Sequence, residues 1–222
     1  MEKRKQKNNE LRRAQIIEAG EKLFLKKGLA NTTMKEIADA AELSKAAIYL
    51  YFKSKEELYL TIILKALKVL YDMLRISIKK QISPPEKLQI IRETYFKYYK
   101  KHPNHFNIIT RFVDHRLLAG KPEIKNILNE ISKLNSQVWD LITQIINEGS
   151  RDGFFNDKIK PIELAIILWT ASNGMIQFMD HIKNKKITPE IKAFKSCEPD
   201  FNDMLKKTWD IIMSPILIAH YK

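Results

Sequence analysis

The chain has few of the residues that cross-link a fold or interrupt its helices. Its 222 residues include one cysteine, six glycines and eight prolines. A lone Cys197 excludes an intrachain disulfide and a cysteine-rich metal site, which fits a reducing cytoplasm. The glycines and prolines cluster at breaks between stretches of helical periodicity. We therefore expect an all-helical, cytoplasmic protein of about nine helices.

Long apolar runs and enzyme motifs are also missing. No stretch comes near the roughly 20 apolar residues of a membrane span. The basic segment at 1–7 precedes no apolar run of the kind found in a secretory signal, so we expect a disordered arm there and no membrane. Phosphate-loop, nucleophile-elbow, zinc-helix and dinucleotide motifs are absent. We predict a protein that is not an enzyme and uses no cofactor or metal.

Positive charge is abundant. The formal net charge is +13, which attracts polyanions through a long-range field. This charge is compatible with a nucleic-acid partner but is weak evidence for one. For the arm at 1–7, two interpretations stay open: contact with DNA phosphates or a minor groove, or a merely solvated tail.

Three helix starts follow each other closely between residues 33 and 57. Thr33 with Glu36 forms the pattern of a capping box, which predicts a helix from about residue 34. Ser44 is placed to cap a second short helix. Two short helices joined by a brief turn are typical of a helix-turn-helix. Ser54 with Glu57 repeats the capping-box pattern and predicts a third helix.

The second short helix has an inner and an outer face. Ile48 and Phe52 point inward at i, i+4 spacing, whereas Lys45, Ala46 and Tyr49 share the opposite face. The helix that starts at Lys55 presents free amides in its first turn, which favour a phosphate. This pattern predicts a DNA-recognition helix. The competing interpretation is that the tyrosines pack a small domain and the lysines are solvated.

The segment from about residue 10 to 60 resembles the TetR-like (tetracycline-repressor-like) family of transcriptional regulators. The matching residues are Gly28, Thr33, Ile37-Ala38, Ala41, Ser44, Tyr49, Phe52, Lys55 and Leu58. The resemblance implies that Ser44, Lys45, Ala46 and Tyr49 enter a major groove, and that Thr33, Tyr51 and Lys55 touch phosphates. Lys35 is also expected at DNA.

Two positions depart from the pattern of that family. Glu42 stands where glycine is usual in the turn, and a left-handed backbone costs a non-glycine residue on the order of 1 kcal/mol. We therefore expect a slightly different turn. Ala47 replaces a hydroxyl residue, so one phosphate contact is expected to be missing.

The resemblance also implies two domains. We expect the basic arm and helix-turn-helix head at 1–54, and a helical effector-binding and dimerisation domain at 55–222. The expected helices of the second domain are 55–81, 86–100, 105–115, a long one from Pro122 to Asp152-Gly153, 161–182, and 199–219 with a bend at Pro215.

Pairing of the last two helices with those of a second copy is likewise implied by the resemblance. The candidate dimer residues are Trp169, Gly174, Leu205, Trp209 and Ile212. A two-fold dimer is also the physical expectation for a protein that reads a palindromic site.

The resemblance further implies a pocket for a small effector. The candidate effector residues are Tyr95, Tyr99, Phe106, Arg111, Trp139 and Phe178, although the spacing of each aromatic favours a core residue over a pocket wall. The predicted function is a dimeric transcriptional regulator, a repressor released from a palindromic double-stranded DNA operator by a small, apolar effector. The alternative is a helical ligand-binding or protein-interaction module with only nonspecific DNA affinity.

Overall fold

The computed structural model describes residues 2–78, 81–111, 118, 120–183 and 200–218. Those residues contain nine α-helices and a 3-10 helix at Pro122–Ile124. The helices are α1 Glu2–Lys27, α2 Met34–Ala40, α3 Lys45–Tyr49, α4 Lys55–Ser77, α5 Pro84–Lys101, α6 Pro103–Ile109, α7 Lys125–Arg151, α8 Pro161–Lys183 and α9 Phe201–Met213. An isolated antiparallel bridge joins Phe155 and Leu217. The prediction of an all-helical fold is confirmed.

The Ser83-Pro84-Pro85 stretch starts helix α5, which therefore begins two residues before the expected start at residue 86. The Glu86 carboxylate accepts hydrogen bonds from the Ser83 backbone N–H at 2.8 Å and the Ser83 hydroxyl at 2.6 Å. Proline is tolerated in a first helical turn because the amides there have no partner within the helix. Helix α4 already ends at Ser77, four residues before the expected end.

Pro215 follows the last helix instead of bending it. Helix α9 ends at Met213, and the chain then turns back towards the segment after α7. The side-chain amide of Asn156 donates to the Pro215 carbonyl oxygen at 2.8 Å, and its backbone N–H donates to that of Ile216 at 2.9 Å. Helix α6 ends at Ile109, before the expected end at 115, and residues 112–117 lie outside the described part.

The structure divides into two compact units, Met1–Met73 with Lys97–Ser136, and Leu74–Phe96 with Gln137–Lys222. The core of the first unit contains Ile16, Phe24, Ile37, Ile48, Phe52, Leu58, Ile62 and Ile108. Helices α4 and α6 therefore help to bury the inner faces of α2 and α3. The predicted domain boundary at residue 54 stays a prediction.

The first residues form part of α1, so our expectation of a disordered arm was wrong. Side chains 6–15 of this helix are exposed, and Ile16 is the first that is buried. Residues 2–15 hold six lysines and arginines and two glutamates, without a glycine or proline. Such residues are good helix formers, and the buried part of α1 provides a nucleus from which the helix extends.

The second unit contains the pair α8 and α9. Trp209 donates its indole N–H to the Ser172 hydroxyl at 2.8 Å, and the Tyr95 hydroxyl donates to the Asn173 side-chain oxygen at 2.6 Å. By length and composition, residues Pro161–Ile182 of α8 could cross a membrane, contrary to our expectation. Core helices of water-soluble proteins meet the same criterion, and the buried hydrogen bonds of α8 are those of a helix packed within a protein.

Candidate nucleic-acid interface

Helix α3 is a short helix with one buried and one exposed face. The Ser44 hydroxyl oxygen accepts a hydrogen bond from the Ala47 N–H at 3.1 Å and so caps the start of the helix. Ile48 is fully buried on the inner face, whereas Lys45, Ala46 and Tyr49 are exposed on the other. The burial of one face thereby fixes the direction in which the other face points.

Helix α2 begins at the predicted capping box. The Thr33 hydroxyl oxygen accepts from the Glu36 N–H at 3.3 Å, and the Glu36 carboxylate accepts from the Thr33 N–H at 2.9 Å. The ammonium of Lys27 also bonds to this carboxylate. The hydrogen bond from Lys27, followed by those from Thr33, lowers the pKa of Glu36 to about 2. Lys35 is exposed on the same helix.

The turn between α2 and α3 keeps a left-handed backbone at Glu42, whose φ is +54°. Among the described residues other than glycine, Glu42 alone has a positive φ. The Leu43 N–H donates to the Ala38 carbonyl oxygen at 2.9 Å and closes the turn. The turn therefore holds the conformation that glycine favours, and Glu42 bears the strain.

Lys55 is engaged inside the protein, although we predicted a phosphate contact. Its ammonium donates to the carbonyl oxygens of Leu29 at 2.9 Å, Ala30 at 3.1 Å and Thr32 at 2.9 Å. An ammonium has three hydrogens, so these bonds use all of them. In this geometry Lys55 holds the loop between α1 and α2 in place.

The second predicted capping box, at the start of α4, is only half formed. The Ser54 hydroxyl oxygen accepts from the Glu57 N–H at 3.2 Å, as expected. The Glu57 carboxylate accepts from the N–H of Lys53 at 2.6 Å, one residue earlier than the usual partner. The carboxylate thus reaches back into the turn that follows α3.

The exposed part of α1 lies beside the end of α3. The Tyr51 hydroxyl donates to the Asn9 side-chain oxygen at 3.3 Å. The Arg13 guanidinium lies 4.9 Å from the centre of the Phe52 ring, within cation–π range. These two contacts bring the basic extension of α1 to the predicted DNA-facing side of the first unit.

Leu50 also belongs to this surface, and it is not among the predicted contact residues. It is the C-cap of α3 with helical backbone angles, and 84% of its surface is exposed. Its i, i+4 spacing from Ala46 is the sequence signal that points to it.

The candidate effector residues fall into both units. Tyr99 packs against the buried Phe106 with ring centres 5.2 Å apart, in the first unit. In the second unit, Tyr95 is buried, Trp139 packs against a tryptophan of α8 at 5.7 Å, and Phe178 is exposed. Burial raises the pKa of Tyr95. Among the described residues, no group of histidine, cysteine, aspartate or glutamate side chains could hold a metal ion.

Arg111 is a predicted effector residue, but its guanidinium is bonded within the protein. Its guanidinium donates to the carbonyl oxygens of Phe24 at 3.0 Å and Leu25 at 2.7 Å. These carbonyls lie in the last turn of α1, and that of Phe24 also accepts from the Gly28 N–H at 2.9 Å. Arg111 thus joins the segment after α6 to the helix that supports the DNA-facing surface.

The dimer candidates separate into exposed and buried residues. Leu205 and Trp209 are only 4% and 6% exposed, so they pack inside the second unit and our prediction of a subunit contact at these residues was wrong. Ile212 is partly buried. Trp169 and Gly174 are exposed on α8, where they remain candidates. The apolar spacing of α9 alone could not tell burial within the chain from burial between chains.

Three comparisons with known proteins agree with this geometry. Residues 16–62 match the family model described as bacterial regulatory proteins, tetR family. The transcriptional repressor KstR2 of Mycobacterium tuberculosis is 26% identical over 144 residues, which cover 65% of this chain and 69% of that protein.

Solved structures share the fold over nearly the whole chain. A tetR-family regulatory protein from Rhodococcus RHA1 has a TM-score of 0.71 at 18% identity, covering 94% of this chain and 98% of the other. A complex of SmeT with triclosan has a TM-score of 0.65 at 16% identity, covering 96% and 94%.

Replacing Glu42 by glycine should stabilise the protein. Glycine adopts a positive φ without steric penalty, so Glu42→Gly should raise the free energy of unfolding by about 1 kcal/mol. Urea denaturation followed by circular dichroism measures this. Glu42→Ala removes the same carboxylate but keeps a Cβ, and a gain as large in that control would assign the effect to charge instead of backbone strain.

The low pKa of Glu36 predicts a specific acid sensitivity. A pKa lowered by folding gives stability that is complete above the ordinary value of 4.5 and is lost as the pH falls through about 2. The stability difference between the wild type and Glu36→Gln should therefore shrink between pH 5 and pH 2. Urea denaturation across this range tests it, with Glu10→Gln as the exposed control. A constant difference would contradict the prediction.

Proposed function

Because this chain belongs to the TetR-like family of transcriptional regulators, we propose that it binds a palindromic operator as a dimer and represses transcription until a small effector releases it. The chain is a DNA-binding regulator. The observation that carries the proposal is the exposed face of α3, held outward by a buried inner face and by the Ser44 cap. We place the protein in the cytoplasm and assign it no enzymatic step.

For the DNA contacts, we propose that the outer face of α3 enters the major groove. Ser44, Lys45, Ala46 and Tyr49 then lie at base edges, which are the groups that carry sequence information. The exposure of the last three residues supports this role, as does the fixed direction of the face.

The phosphate contacts are proposed for residues on either side of α3. Thr33 and Lys35 lie at the start of α2, and Tyr51 follows α3. Lys55 positions the loop before α2 through its three carbonyl contacts. The amides of Lys55 and Glu56 in the first turn of α4 remain for a phosphate, because that of Glu57 is bonded to the Ser54 hydroxyl.

An exposed apolar stripe on α8 supports a dimer. Ile162, Ile166 and Trp169 share one face of α8 at i, i+4, i+7 spacing, and all three are exposed. Ile166 is 46% exposed and Trp169 is 38% exposed. Apolar surface on this scale commonly marks a contact between subunits, and a two-fold dimer matches the symmetry of a palindromic site.

The proposed effector is small and apolar. The aromatic candidates are Tyr99 and Phe106 in the first unit and Tyr95, Trp139 and Phe178 in the second, whereas the guanidinium of Arg111 is already engaged with α1. The effector must bind the DNA-incompetent state more tightly than the competent one, because equal affinity shifts no population. Helix α4 is proposed to transmit the change by altering the spacing of the two heads.

The basic extension of α1 is proposed to contact DNA phosphates beside the half-site. Its exposed residues 6–15 reach the end of α3 through Asn9 and Arg13. At 1.5 Å per residue, the segment 2–15 extends for roughly 21 Å, which is about the length of six base pairs.

Removal of the Tyr49 side chain should weaken sequence-specific binding. We expect Tyr49→Ala to weaken operator binding by about tenfold or more while the helical circular dichroism spectrum is unchanged. Fluorescence anisotropy with operator and scrambled duplexes measures this. The matched control is Tyr71→Ala on α4. Equal, weak binding of the wild type to both duplexes would favour the alternative, an interaction module with only nonspecific DNA affinity.

A charge placed in the apolar stripe of α8 should dissociate the dimer. Ile166→Glu buries a carboxylate in the proposed contact, where desolvation opposes association. Sedimentation velocity should show a dimeric wild type and a monomeric variant. Ile76→Glu, at a site with 74% exposure on α4, should remain dimeric. A dimeric Ile166→Glu protein would contradict this interface.

Neutralising the α1 extension should reduce the salt dependence of DNA binding. For Arg4→Gln with Lys7→Gln, the slope of log affinity against log salt should fall by about 0.9 for each phosphate contact that is lost. The control pair Lys125→Gln with Lys133→Gln removes equal charge from α7. Anisotropy titrations at several salt concentrations measure both, and equal changes in slope would contradict a direct contact.

A further inference from the structure

The exposed side of α3 is apolar at its end. Of the large apolar side chains that the structure describes, Leu50 is the most exposed, at 84%. It lies one helical turn after Ala46, and Tyr49 beside it is 44% exposed. Together Ala46, Tyr49 and Leu50 form what we call the apolar tip of the recognition helix.

The apolar tip is not part of the hydrophobic core of the first unit. Ile48 and Phe52, from the opposite side of the same turn, fill the core of the first unit and are at most 1% exposed. Leu50 points away from that core and gains nothing from burial within the chain. Single exposed leucines are common on protein surfaces. Leu50 differs from them because it lies on the face of α3 that we propose enters the major groove.

Few hydrogen-bonding groups share this face. The Ser44 hydroxyl accepts from the Ala47 N–H and keeps its own O–H as a donor. The other polar side-chain ends on the exposed face are the ammonium of Lys45 and the hydroxyl of Tyr49. The arginine, asparagine and glutamine side chains that make bidentate contacts with guanine and adenine are absent from positions 44–50.

The major groove offers one apolar group for such a face, the C5-methyl of thymine. Adenine, guanine and cytosine present hydrogen-bond donors and acceptors there, and apolar side chains discriminate by contact with the thymine methyl. We propose that Ala46 and Leu50 read thymine methyl groups in each operator half-site, while Lys45 reads a neighbouring guanine. This inference rests on the proposed function and names the chemistry by which the operator is recognised.

Replacing a thymine by deoxyuridine removes the C5-methyl group and nothing else, so it tests methyl readout directly. The full-length protein first selects its preferred duplex from a random-sequence library. Each thymine of that duplex is then replaced singly by deoxyuridine, which keeps the base pair and all its hydrogen-bonding groups. At one or two positions in each half-site, we expect the dissociation constant to rise about fourfold, the effect of a lost buried methyl group.

A variant identifies the side chain that reads each methyl. Leu50→Ala should bind the thymine and deoxyuridine forms of at least one such position equally well, so the fourfold difference disappears. Such a double-mutant cycle isolates the contact from general losses of affinity. The control Ile76→Ala, which shortens an exposed apolar side chain on α4, should keep the difference.

The possible results separate this inference from the function on which it rests. A selected duplex whose deoxyuridine forms all bind like the original would overturn methyl readout, even though sequence-specific binding was established. A difference that persists in Leu50→Ala at every position would overturn the assignment to Leu50. If no duplex is enriched by the selection, the proposed function fails, and this inference fails with it.

Discussion

The recognition surface depends on the burial of two side chains behind it. A helix of five residues has no stability of its own, because forming the first turn fixes the backbone of several residues and gains only one hydrogen bond. Ile48 and Phe52 anchor α3 in a core supplied by α1, α2, α4 and α6. The outer face is therefore held rigidly, as a groove-reading surface must be.

Hydrogen bonds at the helix ends set the geometry around that core. Thr33 and Ser44 cap α2 and α3, and Lys55 and Arg111 satisfy carbonyls at the end of α1 and in the loop after it. Two basic side chains that sequence reasoning assigns to ligands thus support the scaffold. The strained turn at Glu42 shows that the helix-turn-helix geometry outweighs a local preference.

The features that local chemistry determines were predictable from the sequence. The caps at Thr33 and Ser44 and the outward face of α3 depend on residues three or four apart, so they are visible in the sequence. The bonds of Lys55 to the loop before α2 join residues more than 20 positions apart, and no spacing reveals them. Leu205 and Trp209 show the same limit, because an apolar stripe does not say which surface covers it. The helix start at Ser83 was also predictable, because Ser83 and Glu86 form a capping box. Pro84 and Pro85 lie between them, and proline is tolerated in a first helical turn.

The central claim is that a dimer reads a two-fold symmetric sequence through α3. Sequencing the duplexes that the full-length protein recovers from a random library tests this claim most directly. We predict a palindromic motif with half-sites whose centres are about one helical turn of DNA apart, or a multiple of it. A recovered pool no richer in any motif than the starting library would contradict the claim.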